Sequence, residues 1–174
     1  MKKLLFLSII FTTYLTFAQT NTEVYVFDIR PAYEGLELLN IQNISNNKGY
    51  NNQPSFIANE TLVFAGNNEG QTDIVEYSLN TKSKKWFNQK TDGGEYSPQT
   101  FPTINDVAAV RLDKNGFQRL YRYDSQTGKS TELIKDLQIA YFAFYNDEKI
   151  LATVLDSDKM NLVLIDLQSK KTDT

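Results

Sequence analysis

The 174-residue chain contains no histidine and no cysteine. That removes Ser-His-Asp catalysis, HExxH zinc sites, thiolate metal sites, CxxC redox chemistry and disulfide scaffolds. Carboxylates, hydroxyls and amides remain. The sequence has 21 acids, and glycoside hydrolysis needs two acids facing each other across a cleft. Glu95, Asp113 and Asp156 are the acids expected on loops of one rim, although no pair stands out. Asp156-Ser157-Asp158 opens like a calcium loop, but Lys159 follows and no Gly-to-Glu tail appears, so it reads as a polar strand connection. Gly66-Asn67-Asn68-Glu69-Gly70 lacks the Lys-Ser/Thr of a phosphate loop and precedes a strand. Gly128-Lys129-Ser130 lacks the first glycine of such a loop and reads as a hairpin turn. Asn43-Ile44-Ser45 and Asn59-Glu60-Thr61 are glycosylation sequons by pattern alone. No catalytic residue, cofactor or metal ligand is assigned.

Three tyrosines carry a different chemistry. Tyr50, Tyr96 and Tyr141 recur at spacings of 46 and 45 residues. Tyrosine offers a flat apolar face and a hydroxyl, and Asn51, Asn52 and Gln53 lie beside the first copy, a combination suited to holding a sugar or peptide. The plainer reading is that these rings pack between repeats. Tyr50, Asn52, Tyr96 and Tyr141 are the candidate binding residues, on a rim or channel, for a protein, peptide or polysaccharide ligand. The formal charge is −3, with no basic stripe, which argues against a nucleic-acid partner.

The elements that must position these residues begin after a leader. Met1-Lys2-Lys3, an apolar run from Leu4 to Phe17 and a small residue at Ala18 form the pattern of a cleaved export signal, residues 1–18. The 14-residue run would rise only about 21 Å as a helix, short of a ~30 Å hydrocarbon core. The mature chain, residues 19–174 with a formal charge of −5, is expected in the periplasm or outside the cell, without membrane insertion.

Beyond the leader, nearly every apolar run is short, rich in Val, Ile, Leu and Tyr, and bounded by Asn, Asp, Gly, Ser and Lys. Tyr77-Ser78-Leu79-Asn80-Thr81-Lys82 aligns with Tyr123-Asp124-Ser125-Gln126-Thr127-Gly128 and with Ile165-Asp166-Leu167-Gln168-Ser169-Lys170, at spacings of 46 and 42. Phe27-Asp28-Ile29 is an earlier copy, 50 residues before Tyr77. Independently, Gly49 to Pro54 and Gly93 to Pro98 both read Gly-x4-Pro, 44 residues apart, with the glycines expected to take positive φ between units and the prolines to open the inner strands. A period in the low forties with four strands per unit describes a propeller blade. The predicted inner strands are 53–58, 98–103 and 140–145; the second strands are 61–66, 107–112 and 149–155. The third strands are 73–79, 118–124 and 161–166, of which 120–123 and 162–165 are apolar on both parities and expected to be buried on both faces, and the outer strands 84–89 and 130–135. A pair at 23–29 and 36–44 precedes them, and the last unit is expected to lack its outer strand. The units cover about 22–45, 49–90, 93–136 and 139–174.

These landmarks resemble the TolB-like propeller repeat, a WD-like blade of exported bacterial proteins. Gly49, Gln53-Pro54-Ser55-Phe56 and Asp73-Ile74-Val75 match it, as do Leu120 to Asp124 and Leu162 to Leu167, while its Ser-Pro-Asp-Gly turn is replaced in every copy. The resemblance implies an all-β propeller of four-stranded antiparallel blades, about three of them present, half of a six-bladed ring, with seven or eight blades as alternatives. Since a propeller is stabilised by ring closure, the chain is expected to be part of a longer one or else to assemble with copies of itself, and to aggregate if expressed alone. The function expected is a non-enzymatic binding scaffold. One alternative is the propeller portion of a prolyl-oligopeptidase-type serine peptidase, whose catalytic domain would lie beyond residue 174. A weaker one is a propeller glycosidase or lectin.

Overall fold

The computed structural model describes residues 21–173; the expected export signal lies outside them. A hairpin, β1 (Tyr25–Ala32) and β2 (Gly35–Asn43), comes first. Three four-stranded antiparallel meanders follow. The first sheet is β3 (Asn51–Ala58), β4 (Thr61–Asn68), β5 (Gln71–Ser78) and β6 (Ser83–Trp86). The second is β7 (Gly94–Thr100), β8 (Val107–Leu112), β9 (Gln118–Tyr123) and β10 (Ser130–Glu132). The third is β11 (Gln138–Phe144), β12 (Lys149–Asp156), β13 (Lys159–Asp166) and β14 (Thr172–Asp173). Successive antiparallel meanders packed face to face make a partial β-propeller.

The turns follow local chemistry. Between β4 and β5, Glu69 and Gly70 both have positive φ (53° and 91°), as a tight two-residue hairpin requires. The turn from third to outer strand is built the same way three times. Ser78, Asp124 and Asp166 accept from the backbone N–H of Thr81, Thr127 and Ser169 at 3.3, 2.7 and 2.7 Å. Lys82, Gly128 and Lys170 then turn left-handed (φ 50°, 68° and 59°).

The two side-chain parities of each strand separate into different cores. On β8, Val107 and Ala109 join Val63 and Ile74 of the first sheet, whereas Ala108 and Val110 join Ile150, Ala152 and Ile165 of the third. On β4, Val63 faces the second sheet while Leu62 and Phe64 pack with Val24 and Ile44 at the base of the hairpin. Strands covered on both faces must be apolar on both parities. The first strands lie at the inner edge, with β3 against β7 and β11 against β8 and β9.

Five expectations are corrected. Pro54 and Pro98 do not begin their strands; β3 and β7 start earlier, and each proline sits in a bulge where no ladder bond is lost. The third sheet does possess an outer strand, Thr172–Asp173, paired with Ile165 and Leu164. The other outer strands are shorter than the sequence suggests, ending at Trp86 and Glu132, although the Phe87 and Leu133 N–H groups still bond the Ile74 and Leu120 carbonyls one register step further on. Leu162 and Leu164 are not buried but 60% and 37% exposed. Gly49 is left-handed as expected (φ 98°), but Gly93 is not. Its constraint is space, since a Cβ there would come within 2.7 Å of the Leu112 carbonyl oxygen.

Two apolar faces remain open among the described residues. Phe27, Ile29, Leu36, Leu38 and Ile41 are exposed on the hairpin, and Leu151, Met160, Leu162 and Leu164 on the third sheet.

Candidate functional site

The inner edge carries the repeated tyrosines. Tyr50 immediately precedes β3, Tyr96 is on β7 and Tyr141 on β11. The Tyr50 and Tyr96 rings meet edge to face, with centroids 5.8 Å apart and planes at 65°. Burial raises the Tyr50 hydroxyl pKa, and its neighbours Tyr96 and Tyr141 raise it further, against a hydrogen bond with Asn52 that lowers it. The phenol is therefore neutral, and the three rings form one neighbourhood. Tyr141 is the most open of them, at 62% exposure.

Backbone irregularity shapes the same edge. Gln53 and Ser97, each just before a proline, have φ of 57° and 51°. Non-glycine residues held there cost about 1 kcal/mol or more and cluster at functional sites. Asn52 Oδ1 accepts from the Gln53 N–H at 2.7 Å, and Gln53 Oε1 accepts from the Ser97 N–H at 2.8 Å, joining one bulge to the next. Gln99 continues the pattern by donating to the Phe142 carbonyl at 2.9 Å.

Beside the bulges lies a cavity of about 410 Å³, walled by Tyr96, Tyr141, Leu112, Leu155 and Met160, with Gln53 and Gln118 as amides. Among the described residues, no charged side chain lines it. Its chemistry is apolar contact, aromatic stacking and amide hydrogen bonding. Of the candidate residues, Tyr96 and Tyr141 line it directly and Tyr50 supports Tyr96. Asn52 does not line it and instead fixes the turn of Gln53. Asn51 is a buried structural amide, donating to the Thr22 and Asn47 carbonyls at 3.0 and 2.7 Å.

The three acids expected on one rim occupy unlike environments. Asp113 is held between Arg111, at 2.6 Å, and Arg119. Asp156 is exposed at the end of β12. Glu95 is on no loop: it is the second residue of β7 and fully buried, because that position points into the seam between the first and second sheets. There it meets Thr91, Tyr123 and Asp73, a cluster the sequence reading missed. The one available signal was alignment of Glu95 with Asn51 and Ile139 in the neighbouring repeats.

No family model and no curated protein matches the chain. Solved structures do. TolB from Acinetobacter baumannii is 21% identical over 79% of this chain and 36% of that one, with a TM-score of 0.66. A putative TolB from Agrobacterium tumefaciens is 11% identical over 79% and 54%, with a TM-score of 0.65. A puromycin-hydrolysing peptidase of Mycobacterium tuberculosis is 15% identical over 89% and 24%, also at 0.65. What is shared with all three is the β-propeller fold. The chain spans between 24% and 54% of these proteins' lengths.

Proposed function

We propose that this chain is a non-enzymatic, exported propeller that binds an extended protein segment, peptide or envelope polymer along its inner edge. The observation that carries the reading is the row Tyr50, Tyr96 and Tyr141 beside an uncharged cavity of about 410 Å³. Half-open aromatic rings supply contact area at low entropic cost, and Gln53 and Gln118 supply amides that can meet a peptide or sugar. A sequence without histidine or cysteine gives this segment few means of nucleophilic catalysis.

The test is to probe arrays of random-sequence peptides and neutral oligosaccharides with the wild-type chain and with Tyr96→Ala/Tyr141→Ala, after matching their melting temperatures. Binding should fall at least about tenfold in the double variant, the effect of removing two aromatic anchors. Equal binding by both proteins overturns the proposal.

A second reading, the propeller portion of a serine peptidase, draws on the likeness to the puromycin-hydrolysing enzyme over 89% of this chain. It requires a longer reading frame containing G-x-S-x-G and a histidine. Hydrolysis of a chromogenic peptide by the product of that frame would favour it over the binding module.

A further inference from the structure

Asn51, Glu95 and Ile139 occupy one position of the repeat, 44 residues apart, and are 1%, 0% and 0% exposed. Since an aliphatic side chain fills the slot in the third sheet, the slot itself does not require a polar group. The carboxyl of Glu95 needs its own account.

Glu95 Oε1 accepts from the Thr91 hydroxyl at 2.6 Å and from the Tyr123 hydroxyl at 3.1 Å. Its Oε2 is buried and, among the described residues, no donor reaches it. Such an orphan is costly. Asp73 faces it from β5, itself 2% exposed. The oxygens of Asp73 accept three amide N–H bonds: Asn68 at 2.7 Å, Gln71 at 3.0 Å and Asn88 at 3.2 Å. Those donors aim amide N–H groups at Asp73, the wrong polarity for a bound cation. Two facing buried carboxylates repel, but one carboxylate facing one carboxylic acid attracts.

The titratable group facing Glu95 from β9 is Tyr123, and Thr91 approaches from the connection before β7. Arg111 on β8 is committed elsewhere, bonding Asp113 at 2.6 Å and lying 3.5 Å over the Tyr121 ring. We propose that one proton, carried on Glu95 Oε2 and donated to Asp73, clamps the first sheet to the second, and that its loss in alkaline solution loosens the seam beside Tyr50 and Tyr96. The step is a simple deprotonation: the proton leaves to solvent base and two carboxylates remain.

The energetics agree in sign. Burial pushes the Glu95 carboxyl up to about 8; the Thr91 and Tyr123 hydroxyls pull it down, and the negative charge of Asp73 pushes it up. The folded state therefore holds an extra proton between the ordinary value near 4.5 and about 8. The clamp contributes fully below that window and is lost as pH rises through it.

The experiment compares wild type with Glu95→Gln, whose amide donates permanently to Asp73 while its carbonyl still accepts from Thr91 and Tyr123. The wild-type unfolding constant should rise by up to about tenfold per pH unit between pH 5 and 8, and that of Glu95→Gln much less. Infrared spectra of wild type should contain a protonated-carboxyl C=O band at pH 7 that vanishes by pH 9.5 and is absent from Glu95→Gln. In Asp73→Asn, which removes the facing charge, the band should vanish at lower pH. Parallel pH slopes in wild type and Glu95→Gln, or no band at pH 7, overturn the proposal. So does stabilisation of wild type at pH 9 by added calcium, which would identify a cation site. The infrared measurement on wild type decides the matter even if a variant does not fold.

Discussion

Adjacent residues on β12 offer a quantitative test of how the sheets pack. Ile150 is fully buried in the seam with the second sheet, among Val110, Leu120 and Ile165. Leu151 points to the opposite face and is 43% exposed. Truncating either to alanine removes three carbons, worth about 2.4 kcal/mol if all were fully buried, at ~0.8 kcal/mol each. For Ile150→Ala the cavity left in a close-packed seam adds to this, giving about 3–4 kcal/mol in all. For Leu151→Ala only the buried share counts and no closed cavity forms, so the cost is roughly 1 kcal/mol. The assay is urea unfolding, followed by circular dichroism at concentrations where the chain sediments as a monomer, with the m-value required to stay constant. A loss below about 1 kcal/mol for Ile150→Ala would refute the seam. Equal losses for the two variants would show that the face of Leu151 is covered by another sheet.

Three further outcomes follow from particular contacts. Gly93→Ala should cost about 1–3 kcal/mol, because the added carbon meets the Leu112 carbonyl oxygen at 2.7 Å, whereas Gly35→Ala has open space and should cost about 1 kcal/mol from its positive φ alone; thermal melts compare them. Ser97→Gly should stabilise by up to about 1 kcal/mol by relieving its left-handed backbone, while Gln53→Gly gains less because it also loses the bond to the Ser97 N–H; chemical denaturation reads the difference. Burial pushes the Asp106 carboxyl up, but the Ser125 N–H and the Arg122 guanidinium outweigh it and hold it below the usual range. Its contribution is thus present above the unfolded value near 4 and is lost as pH falls below that, so Asp106→Asn should be less stable at pH 7 and show a shallower acid limb in a pH titration of unfolding.

The propeller was legible because its turns repeat their chemistry. The Asp or Ser that caps each turn from third to outer strand, and the left-handed residue that follows, recur at a spacing set by the fold. The tyrosine row was legible for the same reason, as a residue type returning once per repeat. What period could not reveal was environment. Pro54 and Pro98 looked like strand starts because a bulge is a matter of pairing, which one strand alone does not display. Leu162 and Leu164 looked buried because their composition suits a covered face, whether or not one is present. Glu95 looked like one acid among 21, and its burial depends on Asp73, Thr91 and Tyr123 arriving from three other segments.

The slot shared by Asn51, Glu95 and Ile139 bears on how look-alike modules keep their order. An amide, an acid and an alkane fitted to the same backbone give each junction its own chemical address. Against the wrong neighbour, Glu95 would have no Asp73 to receive its proton, and Asn51 would miss the Thr22 carbonyl. Scrambled or swapped arrangements, the characteristic misassembly of repetitive chains, are thereby penalised at the joints, and similar modules are told apart without any change in their shape.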